Sequence, residues 1–315
     1  MRQRRSSQIA DVGCVIRVGL MKFLSRSSFW MPDYIVESAW LEHAPFAFWL
    51  IETHRPRVVV ELGTHRGFSF CCFCQAIERI SLNAKAYAVD TWKGDEHAGF
   101  YGDEIFQELS SYLERHSSCA NLVRSTFDEA LPLFEDGSVD LLHIDGRHFY
   151  DDVKHDFETW LPKLSSRGVV LFHDTNVKER GFGVFQFWEE LATRYPSFEF
   201  FHGHGLGILC VGPNQDGKML DFVATSNDDS SSCSIQEVYS TLGGQVQERA
   251  EAHKNLDSVR QALFNARKKP LSTLWRYCKW QSSGYLMLLR PILGASFYKR
   301  MKSRREKNSP EFLRL

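Results

Sequence analysis

The stretch VVVELGTHRGFS, residues 58–69, decides the fold. Its β-branched apolar run, Val58 to Leu62, predicts a buried strand, and the small apolar residues that follow Phe68 predict a buried helix. Between them sit Gly63 and Gly67. Gly63 permits a tight turn, Gly67 lets a ligand or the next helix approach the backbone, and the amides at the helix N-terminus are free to bind oxygen atoms. The spacing is not the GxGxxG of a pyrophosphate binder. No GKS or GKT follows, which excludes a Walker loop.

Outward from this turn, short apolar runs alternate with helix-length periodic stretches from Arg57 to Gly212, the pattern of a parallel sheet wrapped by helices. The further strands expected are Ala86 to Val89, Asn121 to Val123, Leu141 to Ile144, Val169 to Phe172, Phe198 to Phe201 and Ile208 to Val211. Val153, Phe157, Trp160 and Leu164 recur at helical spacing and predict a crossover helix. The fold class is therefore α/β, a Rossmann-like doubly wound sheet of seven strands with flanking helices. Residues 33–54, with Trp40, Phe46, Phe48 and Trp49, predict amphipathic helices that cap a cleft. The polar stretch 213–234 reads as a linker. From Ile235 a weak heptad pattern, interrupted by Gly243-Gly244, predicts a short helical hairpin or a dimerising helix. The expected division is a basic N-terminal segment 1–32, the α/β domain 33–212, the linker 213–234, and a helical, basic C-terminal extension 235–315.

In a parallel sheet the strand ends gather at one edge, where a ligand binds. Asp90, at the end of the second strand, can accept hydrogen bonds from both hydroxyls of a ribose. Trp92 is placed either to stack on an adenine or simply to pack. Asp145-Gly146-Arg147-His148 ends the fourth strand and His173-Asp174-Thr175 the fifth, so two carboxylates and two imidazoles face one cleft. Oxygen ligands from Asp145 and Asp174, with Thr175 or His173, suit Mg²⁺ or another hard divalent ion. His148 is close enough to take a proton from a substrate hydroxyl bound to that ion. Arg147, Tyr150, His202 and His204 are candidates to shape the acceptor pocket.

With these residues in place, VVVELGTHRGFS, AVDTWKGD, LLHIDGRHFYDDVKHDF and GVVLFHDT resemble the class I S-adenosylmethionine-dependent methyltransferases. They are most similar to the branch that acts on sugar hydroxyls in antibiotic and surface-glycan pathways, the macrocin O-methyltransferase type. The resemblance covers about residues 36–212 and rests on four motifs in order. It implies that Glu61, Gly63, Thr64, Gly67 and Ser69 surround the methionine part of the cofactor and that Asp90 holds its ribose. It further implies that Ser125 and Phe127 lie near the adenine, that Asp145 and Asp174 occupy metal-ligand positions, and that His148 stands in the place of a general base. One departure is Asp174-Thr175, where metal-dependent relatives carry Asp-Asn.

Charge divides the chain differently. The net charge of -1 combines +5 over residues 1–30, -17 over 31–265 and +11 over 266–315. The acidic middle suits a cationic sulfonium cofactor and a divalent ion. Residues 267–305 interleave Arg and Lys with Trp275, Trp280, Tyr285, Leu288 and Phe297, a composition suited to an anionic membrane surface. No recognition motif accompanies that charge, so nucleic acid is not expected. No apolar run is long enough to span a bilayer and no secretory signal is read. The expected location is cytoplasmic, with contact at the inner membrane surface. Eight scattered cysteines form no zinc site, and Cys71, Cys72 and Cys74 are expected to pack inside. The expected partners are a small-molecule or glycan acceptor and a second copy of the chain through residues 235–268. Two rival functions share these features: a nicotinamide-dependent oxidoreductase, which needs the three-glycine turn missing here, and a non-catalytic scaffold in glycan assembly.

Overall fold

Val58–Leu62 forms strand β1 in a computed structural model that describes residues 21–96 and 99–268. The other strands are β2 (Lys85–Asp90), the ribbon strands β3 (Gly94–Asp95) and β4 (Gly99–Phe100), β5 (Ala120–Arg124), β6 (Val139–Ile144), β7 (Leu164–His173), β8 (Ser197–Phe200) and β9 (Leu206–Cys210). Apart from the β3–β4 ribbon they form one seven-stranded sheet in the order β5-β2-β1-β6-β7-β9-β8. The first five strands of that order pair in parallel, as the βα alternation requires. Only β9 departs from the all-parallel expectation, running antiparallel to both β7 and β8. The reason is connection length: β8 and β9 are joined by Phe201 to Gly205 alone, too few residues for a parallel crossover.

The helices are α1 (Ala44–His54), α2 (Phe68–Arg79), α3 (Asp103–His116), α4 (Phe127–Ala130), α5 (Tyr150–Trp160), α6 (Val184–Ala192), α7 (Gly217–Ala224) and α8 (Asp229–Lys268). Two cores flank the sheet, because successive strand residues point to opposite faces. Val59, Leu141 and Val169 pack with α1, α2, α3 and α7, whereas Val60, Leu142 and Val170 pack with α5 and α6. The α2 cysteines Cys71, Cys72 and Cys74 lie in the first core, as expected, and burial pushes all three thiols well above their ordinary range.

Three boundaries differ from those read in the sequence. Helix α1 is buried from Ala44 through Ile51 rather than amphipathic, because α2 and α7 both pack against it. The stretch 213–234 is not a linker: α7 buries Met219, Phe222 and Val223, and Asp229 begins α8. Those three buried side chains dock it within polar surroundings. In place of a hairpin, α8 is one helix of 40 residues, with Ile235, Tyr239 and Val246 in the core. Gly243 does not break that helix; a Cβ there would lie 2.2 Å from the Glu42 carbonyl oxygen, so the glycine permits close approach to the cap segment. The described part of the N-terminal segment, residues 21–32, is also tied in, since Phe23 is buried and its carbonyl accepts a 2.7 Å hydrogen bond from Tyr239.

The sheet belongs to a compact unit that runs to Ala250; of the second unit, Glu251–Leu315, the described residues are the end of α8. The basic stretch 269–315 and residues 1–20 lie outside the described residues. Among the described residues no helix is long and apolar enough to cross a membrane. What positions the site is the switch in strand order: β1 sends its crossover to β2 on one side, and β6 takes the other. The carboxyl ends of β1 and β6 therefore flank the crevice where such sheets bind ligands.

Candidate active site

The turn after β1 is built for close packing. Gly63 has φ +85°, and a Cβ on it would lie 2.1 Å from the Asp145 carbonyl oxygen. Only glycine lets the β1 and β6 loops approach this closely. Gly67 caps α2, and the Leu109 side chain of α3 lies 2.5 Å from a Cβ built there. Asp90 organises the loop from below. Its Oδ2 accepts the Thr64 and His65 amides at 2.8 and 2.9 Å, and its Oδ1 accepts the Trp92 amide at 2.6 Å. Oδ1 retains a lone pair, and Asp90 lines the cleft, so a ribose hydroxyl remains within its capacity.

The cleft beyond these strand ends has a volume of about 420 Å³. Gly63, Thr64, Gly67, Ser69, Asp90 and Phe127 line one part of it; Asp145, His148, His173, Asp174 and Phe182 line another. Thr64 Oγ1 and Glu61 Oε1 are buried polar atoms with no hydrogen-bond partner. Three residues expected at the cofactor do not line the cleft. Trp92 is fully buried, with its indole nitrogen donating to the His65 carbonyl and its ring against Phe106, so it packs rather than stacks on a base. Ser125 donates to the Thr126 carbonyl, and its neighbours Thr126 and Phe127 line the cleft in its place. Glu61 lies beneath the surface, where its Oε2 accepts Ser69 Oγ at 2.6 Å and His143 Nδ1 at 2.8 Å.

At the other part, Asp145, His148 and Asp174 place one ligand atom each within 4.8 Å of the others. His148 Nε2 lies 2.9 Å from Asp174 Oδ2 and 3.7 Å from Asp145 Oδ1. Burial disfavours the charged imidazolium, but the two carboxylates outweigh it and carry His148 up to about 9. His173, expected as a metal ligand, falls outside that group. Its Nδ1 bonds Asp145 Oδ1 at 3.2 Å and its Nε2 the Gly203 carbonyl at 3.1 Å. Both partners are acceptors, so both ring nitrogens donate and His173 is an imidazolium that pairs the carboxylates from behind. Its pKa stands well above the ordinary value accordingly, against the effect of burial. Burial would raise both aspartates, yet His173 and the other bonded imidazoles hold them well below the usual carboxylate range. Thr175 is buried and does not line the cleft.

Of the residues expected to shape the acceptor side, Arg147 and His204 line the cleft; His204 Nδ1 bonds Asp174 Oδ1 at 3.2 Å. Tyr150 instead donates to Glu190 on α6, and His202 packs against the ring of His43. Sequence reasoning passed over Phe182, which stacks on His148 at 4.4 Å, and Arg180, whose guanidinium lies 5.7 Å from the Phe182 ring. It also passed over His143, which accepts a 3.2 Å hydrogen bond from Trp40 of the expected cap. The available signal was a lone polar residue at the same offset from two strand ends, Glu61 two before Gly63 and His143 two before Asp145.

A Rossmann-like sheet with a glycine turn after its first strand and acidic ends on its second, fourth and fifth defines a nucleotide-type cofactor cleft. Residues 60–175 match the family model described as "Methyltransferase domain". A curated protein of Sinorhizobium fredii, described as uncharacterized protein y4gI, is 57% identical over 189 residues, 60% of this chain. The chain spans only 20% of that relative's length. Among solved structures, the O-methyltransferase TomG of Streptomyces achromogenes, in complex with S-adenosylmethionine, is 15% identical with a TM-score of 0.41, over 61% of this chain and 98% of its own. The methyltransferase PaMTH1 of Podospora anserina, bound to S-adenosylhomocysteine, is 13% identical with a TM-score of 0.42, over 56% and 90%. The fold assignment stands on the strand order itself.

Proposed function

We propose that the chain is an S-adenosylmethionine-dependent O-methyltransferase acting on a sugar hydroxyl in glycan or glycosylated natural-product biosynthesis. The observation that carries this reading is the pairing of the Gly63–Ser69 turn and Asp90 with the Asp145, His148 and Asp174 cluster across one cleft, within a stretch matching a methyltransferase domain. The cofactor fits the residues present: Asp90 Oδ1 suits a ribose hydroxyl, Phe127 an adenine, and the unpartnered Thr64 Oγ1 the polar methionine end. When bound, S-adenosylmethionine supplies a methyl group on a sulfonium centre. The protein's part is to align the acceptor hydroxyl with that group and to receive its proton. Alignment is the larger contribution, up to about 7–11 kcal/mol. In its neutral form, favoured as the pH rises toward about 9, His148 takes the proton, and Asp174 and Asp145 stabilise the imidazolium that results. A divalent ion such as Mg²⁺ would be held by Asp145 and Asp174, leaving His148 free to act on the hydroxyl, whose pKa the ion would lower.

The sugar acceptor is supported by the resemblance of the four sequence motifs to the glycan branch. The test is calorimetry. Micromolar S-adenosylmethionine binding without a response to NAD supports the reading, and absence of binding sinks it. Activity that survives a chelator removes the metal from the scheme. A cytoplasmic location, peripheral attachment to an anionic membrane through the basic residues 266–315, and self-association through 235–268 are supported by composition and periodicity. Deleting 266–315 is expected to reduce liposome association while leaving cofactor binding intact; unchanged association refutes the membrane role.

A further inference from the structure

Glu61 and His143 are direct partners in the parallel β1–β6 register, both fully buried. Their side chains form the middle of a continuous chain. Ser69 Oγ donates to Glu61 Oε2 at 2.6 Å, His143 Nδ1 bonds the same oxygen at 2.8 Å, and Trp40 Nε1 bonds His143 Nε2 at 3.2 Å. The direction of every bond is fixed by chemistry. An indole nitrogen can only donate, so His143 Nε2 accepts and its Nδ1 carries the hydrogen that goes to Glu61. The two ends of the chain, Ser69 at the start of α2 and Trp40 in the cap segment, both line the cleft, while the two middle residues do not.

We propose that His143 is a positioning residue for cofactor binding, which ties the cap segment to the cofactor turn through the Ser69, Glu61, His143 and Trp40 chain. On the Glu61 side, its bond leaves Oε2 fully used and Oε1 the uncommitted oxygen below the turn. On the Trp40 side, the bond consumes the one polar atom of the indole, so the wall presented to the cleft is an apolar ring, packed edge-on against Phe73 and His43. A ligand that orders the turn therefore also orders the cap, because both are held by one imidazole. Fixing two walls in advance lowers the ordering cost of binding, which appears as affinity rather than as a faster chemical step.

The inference rests on the S-adenosylmethionine reading, and the experiment separates the two. Calorimetry on the unsubstituted full chain comes first: no binding there defeats the reading itself. With binding established, three variants dissect the chain. His143→Asn keeps a donor facing Glu61 but its amide is too short to reach the indole, Trp40→Phe removes the indole donor, and His143→Leu removes both links. The expected result is S-adenosylmethionine binding weakened about tenfold or more in His143→Leu. His143→Asn and Trp40→Phe are expected to weaken it less, and their combination no more than either alone. The KM for S-adenosylmethionine should rise with kcat within about twofold, a split that general loosening of the fold does not produce. Melting temperatures that fall with unchanged cofactor affinity overturn the proposal. A further measurement needs no folded His143 variant: saturating S-adenosylmethionine is expected to slow hydrogen exchange at the Trp40 indole of the unsubstituted protein, and unchanged exchange overturns it.

Discussion

His148 Nε2 sits 2.9 Å from Asp174 Oδ2, with its ring face covered by Phe182 at 4.4 Å. The carboxylate fixes the proton's position and the phenyl ring fixes the imidazole plane, so the imidazole is oriented before any acceptor arrives. Removing it as His148→Ala is expected to lower turnover by about a hundredfold to ten-thousandfold while S-adenosylmethionine affinity stays within about threefold. Steady-state kinetics beside calorimetry checks this, and a variant with normal turnover removes His148 from the role of base. Asp174→Asn should lose activity as well, since an amide cannot stabilise the imidazolium.

Gly63→Ala tests the turn. Its φ of +85° disfavours any L side chain, and a Cβ would lie 2.1 Å from a backbone oxygen that cannot swing aside. The β1 and β6 loops must separate, which displaces Asp145. A stability loss of about 2–4 kcal/mol is expected together with loss of cofactor binding. Chemical denaturation and calorimetry measure the two effects, and retention of either would show that the loops can part without cost.

How far the site was legible depends on whether local sequence or tertiary contact sets each residue. The glycine turn, Asp90, Asp145, His148 and Asp174 could be read because parallel strands deliver their carboxyl ends to one edge, and strand ends are marked by the change from apolar to polar residues. Trp92 could not. Three amides bond Asp90, and Trp92 itself takes φ 50°, a geometry that turns the indole inward and that nothing in the tripeptide reveals. His143 was hidden by its apolar neighbours, because a histidine inside a buried strand looks like core until its partner Glu61 is seen in register. The same holds for α7, whose buried face is short and set in a polar stretch.

Asp156 provides a pH-dependent test. Burial raises this carboxyl from 3.8 to about 7, reinforced by Asp152 and Asp128 and opposed by His155 and Arg147. Between those values the folded state holds a proton that the unfolded chain has released, so stability is greatest below the lower value and falls as the pH rises toward 7. Asp156→Asn abolishes the ionisation. The variant is expected to match the parent near pH 4 and to melt a few degrees higher at pH 8, the gap opening between the two. Thermal melts across that range decide it; a gap that does not change with pH would assign the effect to some other group.

Phe222 decides whether α7 belongs to the domain. Its ring contacts Phe46, Trp49, Phe198 and Phe23 at centroid distances of 5.4, 5.0, 4.7 and 5.7 Å, joining three segments distant in sequence. Truncating a fully buried aromatic leaves a cavity that so many rings cannot all collapse to fill. Phe222→Ala is expected to cost about 3–5 kcal/mol, whereas Leu220→Ala, on the 43% exposed side of the same helix, should cost about 0.5 kcal/mol or less. A chain ending at Gly212 removes Phe222 along with Met219, Ile235 and Tyr239 and should show no cooperative melt. If that chain instead melts like the parent, α7 and α8 are dispensable to the fold and the domain closes at β9.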